Sequence, residues 1–278
     1  MLPYISMLII YSNTNENLKK SNKYIYIYIY IYIYIYIIFR VYADEPERLV
    51  NGIPTTIKDY PHIVSLRTNG NHMCCGNLIS PRHVLTAAHC VEPLVKNDKL
   101  RKTFTVVSGT SLLSLGGQIN KVSKMWYHED FNKNGNMGSD IGLLELSSPI
   151  TVNEMQKPID LPGPDVQRDE AVTLVAWGST GFMRPLHNDL RKLNAKIMLS
   201  DECQKHHRLM HINDSEFCTL ISRGTGACNG DSGSGVVRDS DRTLVGVVSR
   251  GIPCARGFPD TLTKVKSFLS WIHNKMSS

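Results

Sequence analysis

The chain has 278 residues, of which 42% are hydrophobic and 20% charged; this excludes a disordered chain and is enough for one large core or two small ones. Its net charge of +6 is a mild surplus spread along the sequence, which fits a soluble secreted protein better than a nucleic-acid surface. Seven cysteines point to an oxidising compartment.

The amino terminus stands apart from the rest. From Tyr24 to Ile37 tyrosine and isoleucine alternate without interruption, a β-prone, aggregation-prone pattern that translated TA-repeat DNA would produce. Lys19, Lys20 and Lys23 precede the apolar stretch, which runs to Phe39, and Val41-Tyr42-Ala43 offers small residues for cleavage. Residues 1–43 thus have the outline of a signal peptide. The apolar run is about sixteen residues, short of the ~20 that cross a bilayer as a helix. A removed leader ranks first, a gene-model artefact second and a membrane anchor third. Residues 44–48, Asp44-Glu45-Pro46-Glu47-Arg48, form a short polar linker ending in a basic residue.

Short β-rich stretches follow, at His62–Leu66, Phe104–Val107, Ala171–Ala176 and Leu244–Val248, separated by Gly, Asn, Pro and Asp clusters. This spacing predicts an all-β sandwich or barrel. His206, His207 and His211 cluster near Asp201 and Glu202, but no His-Glu-x-x-His is present; they read as a solvated loop and not as a metal site. Asn213-Asp214-Ser215 is a glycosylation sequon in an expected surface loop. Trp126, Trp177 and Trp271 read as core. Val265, Phe268, Leu269 and Ile272 recur at helical steps and predict a short amphipathic helix over Lys264–Asn274.

Three segments carry chemistry. Cys228-Asn229-Gly230-Asp231-Ser232-Gly233-Ser234-Gly235 sets a serine among small residues, where the backbone can turn tightly and a substrate carbonyl can approach the hydroxyl. Leu85-Thr86-Ala87-Ala88-His89-Cys90 supplies an imidazole, and Asp140 opens the apolar run Ile141-Gly142-Leu143-Leu144. A serine hydroxyl needs a base near neutrality, and imidazole suits it. The imidazole in turn needs a carboxylate to fix its tautomer.

The order His89, Asp140, Ser232 is that of the chymotrypsin architecture, and the chain resembles the trypsin/chymotrypsin family of serine endopeptidases from Leu49 to Ser278. The resemblance rests on Leu85–Cys90, Asp140–Leu144, Trp177-Gly178, Cys228–Gly233, Ser249-Arg250-Gly251 and Cys254–Val265. It implies two packed six-stranded antiparallel β-barrels with a short C-terminal helix, divided near Pro158–Pro164, with the active site between them. Ser232 is then the nucleophile, His89 the base, Asp140 its orienting carboxylate and Ser249 a support for Asp140. The N–H groups of Gly230 and Ser232 form the oxyanion hole. The resemblance selects the disulfides Cys74–Cys90, Cys203–Cys218 and Cys228–Cys254. Cys75, where relatives carry glycine, is left as a buried thiol, a bridge to another chain, or a replacement for Cys74.

The resemblance also implies a secreted zymogen cleaved after Arg48, whose new Leu49 ammonium pairs with Asp231. No cofactor is called for. Ser108–Lys121 lacks the carboxylates with which calcium-binding relatives hold the ion. Expected partners are protein or peptide substrates, an activating protease and protein inhibitors, with no nucleic acid or stable membrane association, for a monomer.

The chain departs from the family pattern around the specificity pocket. Gly226 stands where trypsin-like members carry an aspartate; the other walls are Ser249-Arg250-Gly251 and Cys254–Asp260, with Asp260, on the wall opposite, where glycine is usual. Asp260 either projects its carboxylate into the pocket or turns away into a hydrogen bond. The expectation is cleavage after aromatic residues and Leu, with tolerance of Arg or Lys. Arg250 replaces a common tryptophan, losing an apolar wall and adding a charge, and Ser234-Gly235 replaces Gly-Pro. The rival readings are a trypsin-like enzyme acting through Asp260 and a non-catalytic binding protein.

Overall fold

The computed structural model describes residues 52–133, 138–179, 181, 184–219, 224–251 and 254–278. The leader, the linker, Arg48 and Leu49 lie outside these described residues. In chain order the first strands are β1 (Ile53–Pro54), β2 (Ile63–Thr68), β3 (Asn71–Leu78) and β4 (His83–Thr86), followed by helices α1 (Ala88–Lys96) and α2 (Asp98–Lys102). Then come β5 (Phe104–Ser108), β6 (Gln118–Asn120), β7 (Val122–Tyr127) and β8 (Gly142–Leu146). The later half contains β9 (Ala171–Ala176), β10 (Arg191–Met198), α3 (Ser200–His206), β11 (Glu216–Thr219), β12 (Gly235–Arg238), β13 (Leu244–Arg250), β14 (Asp260–Lys264) and α4 (Leu269–Met276).

The fold is all-β, as the resemblance implies. The strands divide into two antiparallel sheets along the chain. One has the order β6-β5-β2-β3-β4-β8-β7 and curls into a half-barrel. The other has the order β1-β10-β11-β14-β13-β12-β9, and additional pairing of β10 with β9 closes six of its strands into a barrel. Pro158–Pro164 lies in the connection between β8 and β9.

Local sequence explains these strands. In β10, Leu193, Ala195 and Ile197 face inward while Asn194 and Lys196 are exposed, the period-two pattern of a half-buried strand. In β13 the residues from Leu244 to Ser249 are all buried, and glycine is needed at 246 because a Cβ there would lie 2.6 Å from the Phe217 ring. Buried aliphatics such as Leu66, Leu143, Val172 and Leu262 fill the core, each worth roughly 1.5–3 kcal/mol relative to exposure.

The C-terminal helix begins later than expected. Lys264 ends β14, and Val265–Phe268 forms a 3₁₀ turn before α4. Its tighter winding sends Val265 and Phe268, three apart, to the same buried side. Trp177 is buried and its Nε1 donates to the Ser111 carbonyl at 2.9 Å, whereas Trp126 and Trp271 pack partly buried against the core. Among the described residues no helix is long and apolar enough to cross a membrane.

Candidate active site

Strand register brings His89 and Asp140 together. β4 and β8 pair antiparallel with Thr86 opposite Gly142, so the segments just beyond them converge. His89 sits in the first turn of α1, whose Cys90, Val91 and Leu94 are buried and anchor it. Asp140 is fully buried and accepts from the His89 backbone N–H at 2.9 Å and from His89 Nδ1 at 2.7 Å. Burial disfavours the imidazolium, but the hydrogen bond and charge of Asp140 outweigh it and hold the His89 pKa above its usual value. With Nδ1–H committed to the carboxylate, Nε2 is the basic nitrogen, and it has no hydrogen-bond partner among the described residues.

The second sheet supports the same carboxylate. Ser249 Oγ donates to Asp140 Oδ2 at 2.6 Å, and Thr263 Oγ1 donates to the Asp140 backbone carbonyl at 2.8 Å. The β13–β14 register shifts between Val248 and Arg250, an irregularity of the kind that re-aims a side chain. No local signal marked Thr263 for this role.

The Ser232 loop is held from several sides. The Ser232 carbonyl accepts from Cys75 N–H at 2.7 Å, and the Gly233 carbonyl accepts from Asn77 Nδ2 at 3.0 Å. Gly233 has φ +79°, and a Cβ there would run into Thr86 Oγ1 and the Cys75 carbonyl, so glycine is required. The Gly230 carbonyl accepts from His72 Nε2 at 3.0 Å and from the Cys75 thiol at 3.4 Å. His72 Nδ1 accepts from Ser65 Oγ at 2.8 Å. Burial lowers the His72 pKa to about 4 and keeps the ring neutral. The N–H groups of Gly230 and Ser232 donate to no acceptor among the described residues. Ser232 and His89 are not joined by a hydrogen bond here; such bonds commonly tighten only with substrate bound.

Asp231 is fully buried behind this loop, accepting from Gly178 N–H at 2.7 Å and Cys228 N–H at 2.8 Å. A Cβ at Gly178 would run into its carboxylate. Burial raises its pKa to about 7, against the two N–H donors and with some help from the Asp260 charge. The bridges Cys74–Cys90, Cys203–Cys218 and Cys228–Cys254 are present, and Cys75 is a buried free thiol whose pKa burial raises.

A cleft of about 240 Å³ opens beside Ser232, with Ala227, Cys228, Ser249, Gly251 and Asp260 in its walls. Both alternatives for Asp260 hold at once: it lines the cleft, and its Oδ2 accepts from Ala227 N–H at 2.7 Å. A Cβ on Gly226 would lie 2.7 Å from that Oδ2, and one on Gly251 would lie 3.3 Å from Oδ1. The two glycines therefore make the space that the carboxylate occupies. Burial raises the Asp260 pKa to about 7, partly offset by the Ala227 N–H.

One expectation needs correction, that for His207, and two other residues gain partners. The charge gained at Arg250 lines the cleft but is paired: its guanidinium bonds Glu216 at 2.8 Å, and the Glu216 side chain is 0% exposed. That carboxylate also accepts from the Asn213 N–H and Nδ2, both at 2.9 Å, so Asn213, half-buried in its loop, helps hold Glu216. His207 is buried, with Nε2 at 2.9 Å from the Pro259 carbonyl, because α3 ends at His206 and the chain turns inward. It lies near Cys203 and Cys218, whose sulfurs are already joined to each other. Glu216 was missed because its partner is 34 residues away.

The family model described as trypsin matches residues 49–272. Chymotrypsin-2 of Vespa crabro is 33% identical over 225 residues, covering 81% of this chain and 98% of that protein. Trypsin beta of Drosophila erecta is 32% identical, covering 82% and 88% respectively. Trypsin I-P1 of Gallus gallus is also 32% identical, covering 86% and 94%. With this similarity over most of its length, on an all-β fold that holds the His89 imidazole against a buried carboxylate, the chain belongs to the trypsin family and is a serine endopeptidase.

Proposed function

We propose that Ser232 attacks the substrate carbonyl while His89 Nε2 takes its proton and returns it to the leaving amine. Asp140 fixes the His89 tautomer and stabilises the imidazolium, and water then hydrolyses the acyl-enzyme. The observation that carries this reading is the buried Asp140, bonded at once to the His89 backbone N–H, to His89 Nδ1 and to Ser249 Oγ. The unclaimed N–H groups of Gly230 and Ser232 support an oxyanion hole, in which one donor is worth about 2.7–4 kcal/mol.

The protein is a secreted monomer, a location its three disulfides favour. It is made as a zymogen and activated by another protease after Arg48. The Leu49 ammonium then pairs with Asp231, whose buried carboxylate has no cationic partner among the described residues. Protein inhibitors would occupy the same cleft. The open cleft beside Ser232 favours aromatic and Leu side chains before the scissile bond. Asp260 in the same slot favours a second, trypsin-like reading with Arg or Lys there.

The test is covalent labelling by a fluorophosphonate after cleavage at Arg48. An adduct on Ser232, absent from Ser232→Ala, is expected. A folded, cleaved chain that takes no label would refute the assignment in favour of a non-catalytic binding protein.

A further inference from the structure

We propose that Asp260 makes the preference of this slot depend on pH, with apolar side chains taken in the acid range and Arg or Lys in the alkaline range. The inference rests on the reading of Ser232 and its cleft given above. Geometry gives the carboxyl two unlike oxygens. Oδ2 is tied to the Ala227 N–H. Oδ1 accepts no hydrogen bond among the described residues, yet it is not among the sealed, unsatisfied polar atoms, so it meets the solvent of the cleft.

Among the described residues no cation is bonded to the Asp260 carboxylate. On β13, Arg250 lines the same cleft, but its guanidinium is bonded to the buried Glu216. On the segment before β14, Arg256 is exposed, and the His207 ring is directed to the Pro259 carbonyl. Behind the Cys228 turn lies Asp231, another carboxyl and not a cation, whose own ionisation the Asp260 charge discourages. Strand β11, opposite at Thr219, brings no charge to this end. Gly226 has no room for a second carboxylate.

Burial thus opposes ionisation of Asp260, and one N–H favours it, with the balance near pH 7. Below that value the neutral carboxyl leaves a slot suited to burying Leu or Phe. Above it, an apolar side chain would desolvate a carboxylate at a cost, whereas a cationic one completes a charge-assisted hydrogen bond. Pairing of Asp231 with the Leu49 ammonium would lower the midpoint without changing the sign.

The experiment takes the full chain, cleaved after Arg48 with immobilised trypsin. It measures kcat/KM from pH 5 to 9 on matched peptides with Arg or Leu before the scissile bond. The Arg-to-Leu ratio cancels His89, Asp231 and the terminal amine, which act on both substrates alike. The ratio is expected to rise by up to about tenfold per pH unit below 7 and then level off. In Asp260→Asn it is expected to be low and flat. A flat ratio in the parent, or a rising one in the variant, overturns the proposal.

A second arm needs neither the variant nor turnover. Calorimetry of benzamidine, whose charge is constant over this range, is run on the parent and on Ser232→Ala in two buffers of different ionisation heat. Affinity rising to a plateau near pH 7, with proton release below it, is expected; pH-independent affinity overturns the proposal. Absent labelling of Ser232 and absent peptide cleavage would sink the endopeptidase reading alone, since the benzamidine arm still decides Asp260.

Discussion

Replacing Asp231 by asparagine in the uncut chain is expected to remove an instability that appears as pH rises. The Asp231 carboxyl is fully buried and its pKa is raised from 3.8 to about 7. A folded-state value above the unfolded one means that the group's contribution is fully favourable below pH 3.8, is lost between 3.8 and about 7, and is level beyond. The loss corresponds to about 4 kcal/mol. The asparagine carbonyl can still accept from Gly178 or Cys228, but its NH₂ faces the other N–H. This adds a pH-independent cost of roughly 1–3 kcal/mol.

Urea unfolding with the disulfides intact, from pH 4 to 8, measures the difference between parent and variant. His62 and His72, whose pKa values are also displaced, act on both proteins and cancel. In the uncut chains the advantage of the parent should shrink by about 4 kcal/mol across this range. After cleavage at Arg48 it should shrink far less, because an ammonium then meets the ionised carboxylate. Parallel pH curves for the two uncut proteins, or a difference untouched by cleavage, would refute the reasoning.

Two further outcomes are expected. Ser249→Ala removes one donor from the buried Asp140 carboxylate and should lower kcat by roughly tenfold, about 1.4 kcal/mol, with KM little changed; steady-state kinetics on a Leu peptide checks this, and an unchanged kcat would remove Ser249 from the site. Arg250→Ala strips a 17% exposed guanidinium from the fully buried Glu216 and should cost about 3 kcal/mol of unfolding free energy. Glu216→Gln combined with it should recover part of that loss in denaturant titrations.

Much of the fold is legible in short windows. The expected stretch Ala171–Ala176 coincides with β9, and Phe104–Val107 and Leu244–Val248 fall inside β5 and β13, because alternation and β-branched runs report burial directly. The helix start was misjudged because Val265 and Phe268 satisfy both an α-helical and a 3₁₀ spacing. Barrel closure was not readable in detail. Whether β9 also pairs with β10 depends on twist accumulated over several strands, and no single strand records it.

The residue types of the site stand in local motifs, so the sequence by itself identified a serine in a tight small-residue turn, a histidine after a strand and an aspartate before one. Their chemistry resides in the side chains themselves, and the spacing needed to present them is short. Tertiary structure decided the partners and the charge states. Asp140 meets His89 across 51 residues, Ser249 across 109 and the Thr263 hydroxyl across 123. Arg250 is neutralised by Glu216, Asp260 fills the gap between Gly226 and Gly251, and two buried carboxyls titrate near neutrality. Each of these depends on which distant groups exclude water from a side chain and which approach within hydrogen-bonding distance, and neighbours in sequence carry no record of either.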